Sequence, residues 1–316
     1  MEKLKEGAMD SALFERPSPS PSDDVRKDDV RKDVEGRSFV LKARAKSWVV
    51  GPQTLIMGIL NVTPDSFYDG GRFFEPAAAV KRALEMVEEG ADWIDVGGES
   101  SRPGASSVDT GEELKRVVPV IGELASRGVT VSVDTTKSEV ARAALEEGAE
   151  IINDISAFSM DTRMASVCGE YGAASVLMHM RGTPATMQND VRYEDLVGEV
   201  FTFLKASLER AAESGIEIER TIIDPGIGFG KSREGNLEII RRLREFTPLG
   251  RPILVGPSRK SFIDRAPGGD LRERLAGTLA ASTVSIMNGA NILRVHDVKA
   301  ARRAADMADA LKEGGS

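Results

Sequence analysis

The sequence predicts an α/β fold, a (β/α)8 barrel preceded by a short hairpin and a disordered tail. Three observations lead there. From Thr54 onward, eight short runs rich in Ile, Val and Leu each give way to a stretch of helical periodicity, without a break in the alternation. The eight units fill about 260 residues, the size of a closed barrel of this kind. Polar and charged residues gather where each apolar run ends, the face on which such barrels carry their chemistry. A doubly wound open sheet shares the alternation, but no glycine-rich dinucleotide fingerprint follows the first strand.

Taken in order, residues 1–37 stand apart. Pro17-Ser18-Pro19-Ser20-Pro21-Ser22 precedes a tandem repeat, Asp23-Asp24-Val25-Arg26-Lys27 and Asp28-Asp29-Val30-Arg31-Lys32. So little apolar surface cannot offset the entropy of ordering the chain, and a disordered tail is expected, with the repeat able to extend as a short solvated helix. Residues 38–316 then form one domain, a hairpin over 38–53 and a barrel over 54–312. Phe39 to Val50 alternates loosely and is expected to close one end of the fold. Strands are expected near 54–60, 93–96, 130–134, 151–154, 174–178, 221–224, 252–256 and 292–295. Val80, Ala83, Leu84 and Val87 mark the first helix by their spacing; Leu196, Val197, Val200, Phe201, Leu204 and Leu208 mark the fifth; Ala304, Met307, Ala308 and Leu311 mark the eighth. Glycines at 90, 128, 148, 172, 215 and 250 fall where left-handed helix stops are needed.

Composition narrows the function. A formal charge of -8 over 316 residues, with a pI near 5.2, argues against a nucleic-acid or anionic-membrane surface. No apolar run approaches the ~20 residues needed to cross a bilayer, and no signal core opens the chain, so a cytoplasmic location is expected. The one cysteine, Cys168, excludes an internal disulfide and reads as a small buried residue in a helix.

The strand ends carry the chemistry. The first strand runs apolar to Leu60, then breaks into Asn61-Val62-Thr63-Pro64-Asp65-Ser66-Phe67. The second opens into Gly97-Gly98-Glu99-Ser100-Ser101-Arg102-Pro103-Gly104, and the third and fourth end at Asp134 and Asn153-Asp154. Met178-His179-Met180-Arg181, Asp224-Pro225-Gly226 with Gly228-Phe229-Gly230-Lys231, Gly256-Pro257-Ser258-Arg259-Lys260 and Arg294-Val295-His296-Asp297 follow the rest. A lone Asp or Asn after a strand ordinarily caps a helix. A lone Arg102 or Lys260 is an ordinary solvated charge, His179 reads equally well as a core histidine, and Met178 reads as packing. Capping does not account for Lys260, Arg294 and His296 on one face. Strands eight and one adjoin in a closed barrel, so Arg294, His296 and Asn61 suit a polyphosphate with its Mg²⁺. Asp134, Asn153 and Asp224 suit a flat ring whose edge presents paired N–H donors, as a 2-amino-pyrimidinone does. Zinc-ligand spacing is absent, as is any Ser-His-Asp or Cys-His arrangement.

Together these motifs resemble dihydropteroate synthase, in order and in register over roughly residues 40 to 312. Met57-Gly58-Ile59-Leu60-Asn61, Gly97-Gly98-Glu99-Ser100-Ser101-Arg102-Pro103-Gly104, Val133-Asp134-Thr135, Ile152-Asn153-Asp154, Ser258-Arg259-Lys260 and Arg294-Val295-His296-Asp297 carry the likeness. The resemblance implies a homodimeric transferase of folate synthesis, of the kind that sulfonamides target, that joins (7,8-dihydropterin-6-yl)methyl diphosphate to 4-aminobenzoate. By that likeness Asp134, Asn153, Met178, Asp224, Phe229, Gly256 and Lys260 hold the pterin. Asn61, Ser101, Arg102, Arg294 and His296 hold the diphosphate, with Asn61 on the Mg²⁺. Phe67, Ser101, Arg102, Pro103, Phe229, Ser258 and Lys260 receive the aminobenzoate, and Asp69 joins the catalytic set. An arylamine already offers a lone pair at neutral pH, which agrees with the absent triad. Ser101, Tyr68, Thr136 and Pro257 depart from the commonest family pattern without removing a proposed catalytic group. A pterin-binding methyltransferase serving a corrinoid protein would share the Asp/Asn set but need neither Lys260 nor the Arg294–His296 pair. A non-catalytic pterin-binding paralogue would not need the anion site.

Overall fold

The computed structural model describes residues 38–63, 68–69, 73–74, 76–101, 107–264 and 274–313. Residues 1–37, for which a tail was expected, lie outside that set. Strands β1 (Phe39–Lys42) and β2 (Ser47–Val50) form the expected hairpin, with Phe39 opposite Val50. Next come β3 (Leu55–Asn61) and a two-residue ladder of β4 (Tyr68–Asp69) with β5 (Phe73–Phe74). The remaining units alternate: α1 (Pro76–Glu88), β6 (Trp93–Gly97), α2 (Thr110–Ser126), β7 (Val131–Asp134), α3 (Ser138–Glu146), β8 (Ile151–Asp154), α4 (Met164–Tyr171) and β9 (Ala174–Met178). They continue through α5 (Leu196–Glu213), β10 (Thr221–Asp224), α6 (Arg233–Arg241), β11 (Leu254–Val255), α7 (Arg274–Met287), β12 (Ile292–Val295) and α8 (Val298–Glu313).

Eight of these strands run parallel in the order β10-β9-β8-β7-β6-β3-β12-β11. A parallel bridge from Ile223 to Ile253 and a hydrogen bond from Ile223 N to Pro252 O (3.0 Å) join the two ends. The sheet therefore closes into a (β/α)8 barrel. Strand β11 is shorter than the expected 252–256, because Pro252 has no N–H to give to the ladder and Pro257 stops it soon after.

Period-two alternation sorts the strand residues into two cores. Ile56, Leu60, Ile94, Val96, Val133, Ile152, Leu177 and Val255 face outward and pack under the helices. Leu55, Met57, Trp93, Ile151, Ala174, Val176, Ile222, Leu254 and Ile292 fill the interior towards the strands' N-terminal ends. There the hairpin seals the barrel: Leu41, Ala43 and Val50 join that cluster, and Trp48 packs edge-on against Trp93 at 5.2 Å between ring centres. Burying the floor in this way leaves the opposite mouth for polar chemistry.

Local signals in the sequence place the helices. Asp109, Asp195 and Ser232 each accept a backbone N–H in the first turn of α2, α5 and α6. The six glycines read as helix stops all have positive φ. Cys168 is buried in α4, and burial pushes its thiol up to about 12. No helix among the described residues is long and apolar enough to cross a membrane.

Candidate active site at the C-terminal mouth of the barrel

The same alternation that builds the floor aims a row of side chains into the mouth. Asn61 lies opposite Gly97, Gly97 opposite Asp134, and Asp134 opposite Asn153, one continuous rung across β3, β6, β7 and β8. On the next pair Asp224 lies opposite Met178. Gly97 keeps the rung open, since a Cβ there would stand 3.4 Å from that of Asp134. Gly256 lies bare between Arg294 and Lys260, where a Cβ would stand in ordinary contact, 3.7 Å from the Arg294 Cβ and 3.9 Å from the Lys260 Nζ.

Beneath the rung lies a charge network that the sequence did not announce. Asp95 is fully buried on β6, two residues below Gly97. Its Oδ2 accepts from Arg294 Nε at 2.6 Å and from Asn153 Nδ2 at 2.9 Å. Arg294 also donates through Nη2 to Asp134 Oδ2. Burial pushes the Asp134 carboxyl up to about 7, against the pull of Arg294 and with the help of the nearby Asp95 charge. The two carboxylates hold the Arg294 guanidinium above its ordinary value, outweighing its own desolvation.

Strand β10 and the loops beside it supply the next wall. Burial raises the Asp224 carboxyl, while the Gly226 N–H (2.7 Å) and the Lys260 charge oppose that rise. Lys260 donates to Ile227 O and stands 4.5 Å over the Phe229 ring. Burial brings its amine down to about 8, with Asp224 pulling the other way. Phe229 packs with Met178, Ile155, Met180 and Met187 into a small apolar cluster at this mouth, a surface suited to the face of a ring.

Lys231 holds that loop from below. Its buried Nζ meets His179 Nδ1 at 2.9 Å, Gly226 O at 2.9 Å and Phe229 O at 3.0 Å. His179, pushed down to about 2 by burial and then by the Lys231 charge, is neutral and packs edge-on against Phe203. It is a core histidine that orients a lysine. Gly226 has φ +72°, and a Cβ there would fall 1.9 Å from His179 O, so only glycine fits.

On the other side, Ser258 Oγ contacts His296 Nδ1 at 3.0 Å and accepts from His296 N at 3.2 Å. Arg259 grips Asp297 through two nitrogens at 2.9 and 2.5 Å, tying the loops after β11 and β12 together. Ser101 lines a cavity of about 300 Å³ with Glu99, Asp134, Thr136, Ile155 and Pro184. A larger groove of about 760 Å³ lies outside the barrel between α1 and α2 and contains none of these residues.

The structure thus brings Asn61, Asp134, Asn153, Met178, Asp224, Gly256, Lys260, Arg294 and His296 to one mouth, with Phe229, Ser258 and Ser101 around it. Phe67, Arg102 and Pro103 lie outside the described residues, and of Asp69 only its backbone pairing with Phe73 is described. Two arrangements differ from the reading of strand order alone. Arg294 donates to both Asp95 and Asp134, a pairing across the barrel that strand order alone does not give, because buried carboxylates attract a guanidinium strongly. Asp154 faces outward and caps a turn, accepting from Ser156 N, Ser156 Oγ and Phe158 N. Asp95 was missed, although a carboxylate inside Trp93-Ile94-Asp95-Val96-Gly97, on the parity of Gly97, is the signal that marks it. Lys231 was quoted in its motif without a role.

The profile of the family described as pterin binding enzyme matches residues 57–296. A dihydropteroate synthase from Synechocystis is 47% identical over 263 residues, 83% of this chain and 91% of the relative. Among solved structures, a Clostridium difficile dihydropteroate synthase determined in the presence of pteroic acid superposes with a TM-score of 0.78 at 45% identity, covering 83% of this chain and 98% of the other. A Xanthomonas albilineans dihydropteroate synthase with 4-aminobenzoic acid superposes with a TM-score of 0.81 at 41% identity, covering 87% and 99%.

Proposed function

The chain belongs to the pterin-binding enzyme family, among the dihydropteroate synthases, and on that premise we propose the reaction and the residues that serve it. The protein condenses (7,8-dihydropterin-6-yl)methyl diphosphate with 4-aminobenzoate, giving 7,8-dihydropteroate and pyrophosphate. The observation that carries this reading is the rung of Asn61, Asp134 and Asn153 with Asp224 and Lys260 beside it, acidic and amide groups converging on one barrel mouth.

Asp134, Asn153 and Asp224 accept from the donor edge of the pterin, whose ring lies between Met178 and the Phe229–Lys260 pair above the bare Gly256. Asn61, Arg294 and His296, with Ser101 and Arg102, take the diphosphate, and Ser258 fixes the His296 ring. The bond from the pterin CH₂ to the diphosphate oxygen breaks first, its electron pair leaving with the diphosphate. The positive charge that develops on the conjugated ring faces the carboxylates of Asp134 and Asp224. The aminobenzoate nitrogen then forms the C–N bond with its lone pair, and its proton passes to solvent. Phe67, Pro103, Phe229, Ser258 and Lys260 position the aminobenzoate, and Asp69 and Arg102 close over the site to keep water from the cation.

Mg²⁺ fits this donor set only in company with its ligand. No group of three or more His, Cys, Asp or Glu among the described residues could hold a metal by itself. Mg²⁺ characteristically takes one or two protein oxygens beside phosphate oxygens and waters, and the Asn61 amide is such an oxygen. When bound, the ion supplies charge stabilisation to the leaving diphosphate. The exposed Val284, Met307 and Leu311 of α7 and α8 support the homodimer.

A coupled pyrophosphate assay tests the reading. Release is expected only with both substrates and Mg²⁺ present. Release that continues without the arylamine would make this a pterin diphosphate hydrolase instead.

A further inference from the structure

We propose that Asp95 decides which ring the site accepts, by fixing the polarity of the Asn153 amide; this rests on the pterin reading above. Asp95 is fully buried and sits below the rung. It therefore acts through its neighbours and touches no ligand.

Its Oδ2 lies between two donors, Asn153 Nδ2 at 2.9 Å and Arg294 Nε at 2.6 Å. A carboxylate beside a guanidinium accepts and does not donate, so the NH₂ end of the amide is the end held against it. Turning the amide over would set its oxygen against the carboxylate oxygen, two acceptors in contact. The Asn153 oxygen is thereby directed away from Asp95, and it has no hydrogen-bond partner among the described residues.

Only a hydrogen-bond donor satisfies that oxygen, and on the edge of a flat heterocycle that donor is an N–H. A 2-amino-4-oxo ring can present such a donor. A ring of the same outline with a carbonyl in place of the 2-amino group presents a lone pair there, and both acceptors are left unpaired in a site closed to water. Asp134 and Asp224 are also acceptors, but each can take a proton and become a donor, since burial raises both carboxyls. The Asn153 amide cannot change in that way while Asp95 holds it, and it is the fixed element of recognition.

Calorimetry of the full-length protein with a pterin and with its 2,4-dioxo analogue tests the assignment. The wild type is expected to favour the 2-amino ring at least about tenfold, the worth of one net hydrogen bond. In Asp95→Asn the new carboxamide can offer either end to Asn153, so the preference should shrink to within about threefold while the pterin still binds. A preference unchanged in a variant that still binds pterin overturns the proposal, because a purely structural Asp95 would weaken both rings alike. Should Asp95→Asn fail to fold, the Asn153 side-chain NH₂ resonances of the wild type, assigned by their loss in Asn153→Ser, serve instead. They should stay protected from exchange when pterin is added, and loss of protection overturns the proposal. Wild-type protein that binds both rings equally defeats this assignment alone, and protein that binds neither defeats the pterin reading with it.

Discussion

Replacing Arg294 by methionine should expose how the site is held before any substrate arrives. The side chain is similar in length but carries no charge, and it leaves Asp95 and Asp134 facing each other without the cation between them. Removing one member of a buried ion network typically costs about 3–5 kcal/mol. For a domain of this size that lowers the melting temperature by on the order of 10 °C. The pH dependence makes the test specific. Asp134 titrates at about 7 when folded, above its ordinary 3.8. The native state therefore holds an extra proton between those values, and the stability this confers is full below the unfolded pKa and lost as pH rises through about 7. Arg294 is the main influence that opposes this rise. Without it the folded value moves higher and the loss continues above neutrality. Urea unfolding at pH 6 and pH 8 should show a deficit that grows with pH, by up to about 1.4 kcal/mol per unit. The double variant Asp95→Asn, Arg294→Met should recover part of it, since one orphaned carboxylate is then neutral. A deficit below about 1 kcal/mol at pH 8, or one that does not change between the two pH values, would refute the network as the organiser of the site.

Four further outcomes are expected. Asn61→Ala should lower kcat sharply and raise the Mg²⁺ needed, with pterin affinity largely intact by calorimetry; unchanged turnover at limiting Mg²⁺ removes Asn61 from the mechanism. Gly226→Ala must move a carbonyl 1.9 Å away from the new methyl and adopt φ +72°, so thermal unfolding should drop by several degrees; an unchanged midpoint would mean that the Lys231 loop tolerates a shift. Aminobenzoate should bind measurably only when pyrophosphate, Mg²⁺ and a pterin are present, because closing loops costs about 1–2 kcal/mol per ordered residue; equal affinity for the free protein would show a pocket already formed. A chain starting at Ser38 should keep its activity and melt within a few degrees of the full length, as the composition of residues 1–37 implies; lost folding or dimerisation would show that this segment packs.

The sequence by itself determined the barrel, its eight strand positions and most of the residues at its mouth. Apolar runs, helical spacing and glycine stops are local signals, read within a few residues, and the structure repeats them almost position for position. Parity along each strand also decides which residue enters the mouth, so Asp134, Asn153 and Asp224 could be named from their places alone. What only the tertiary structure decided was partnership across the barrel. Arg294 and Asp95 are 199 residues apart, and no spacing reveals that a guanidinium at one strand end will turn towards a carboxylate beneath another. His179 could be read as ligand or core until Lys231, 52 residues on, was seen against its ring. A side chain's type is fixed by the chain, but its direction is set by the charges and cavities that remote strands bring to it. Burial then decides its protonation, as it does for Asp134, whose carboxyl lies near 7 because folding has taken it out of water.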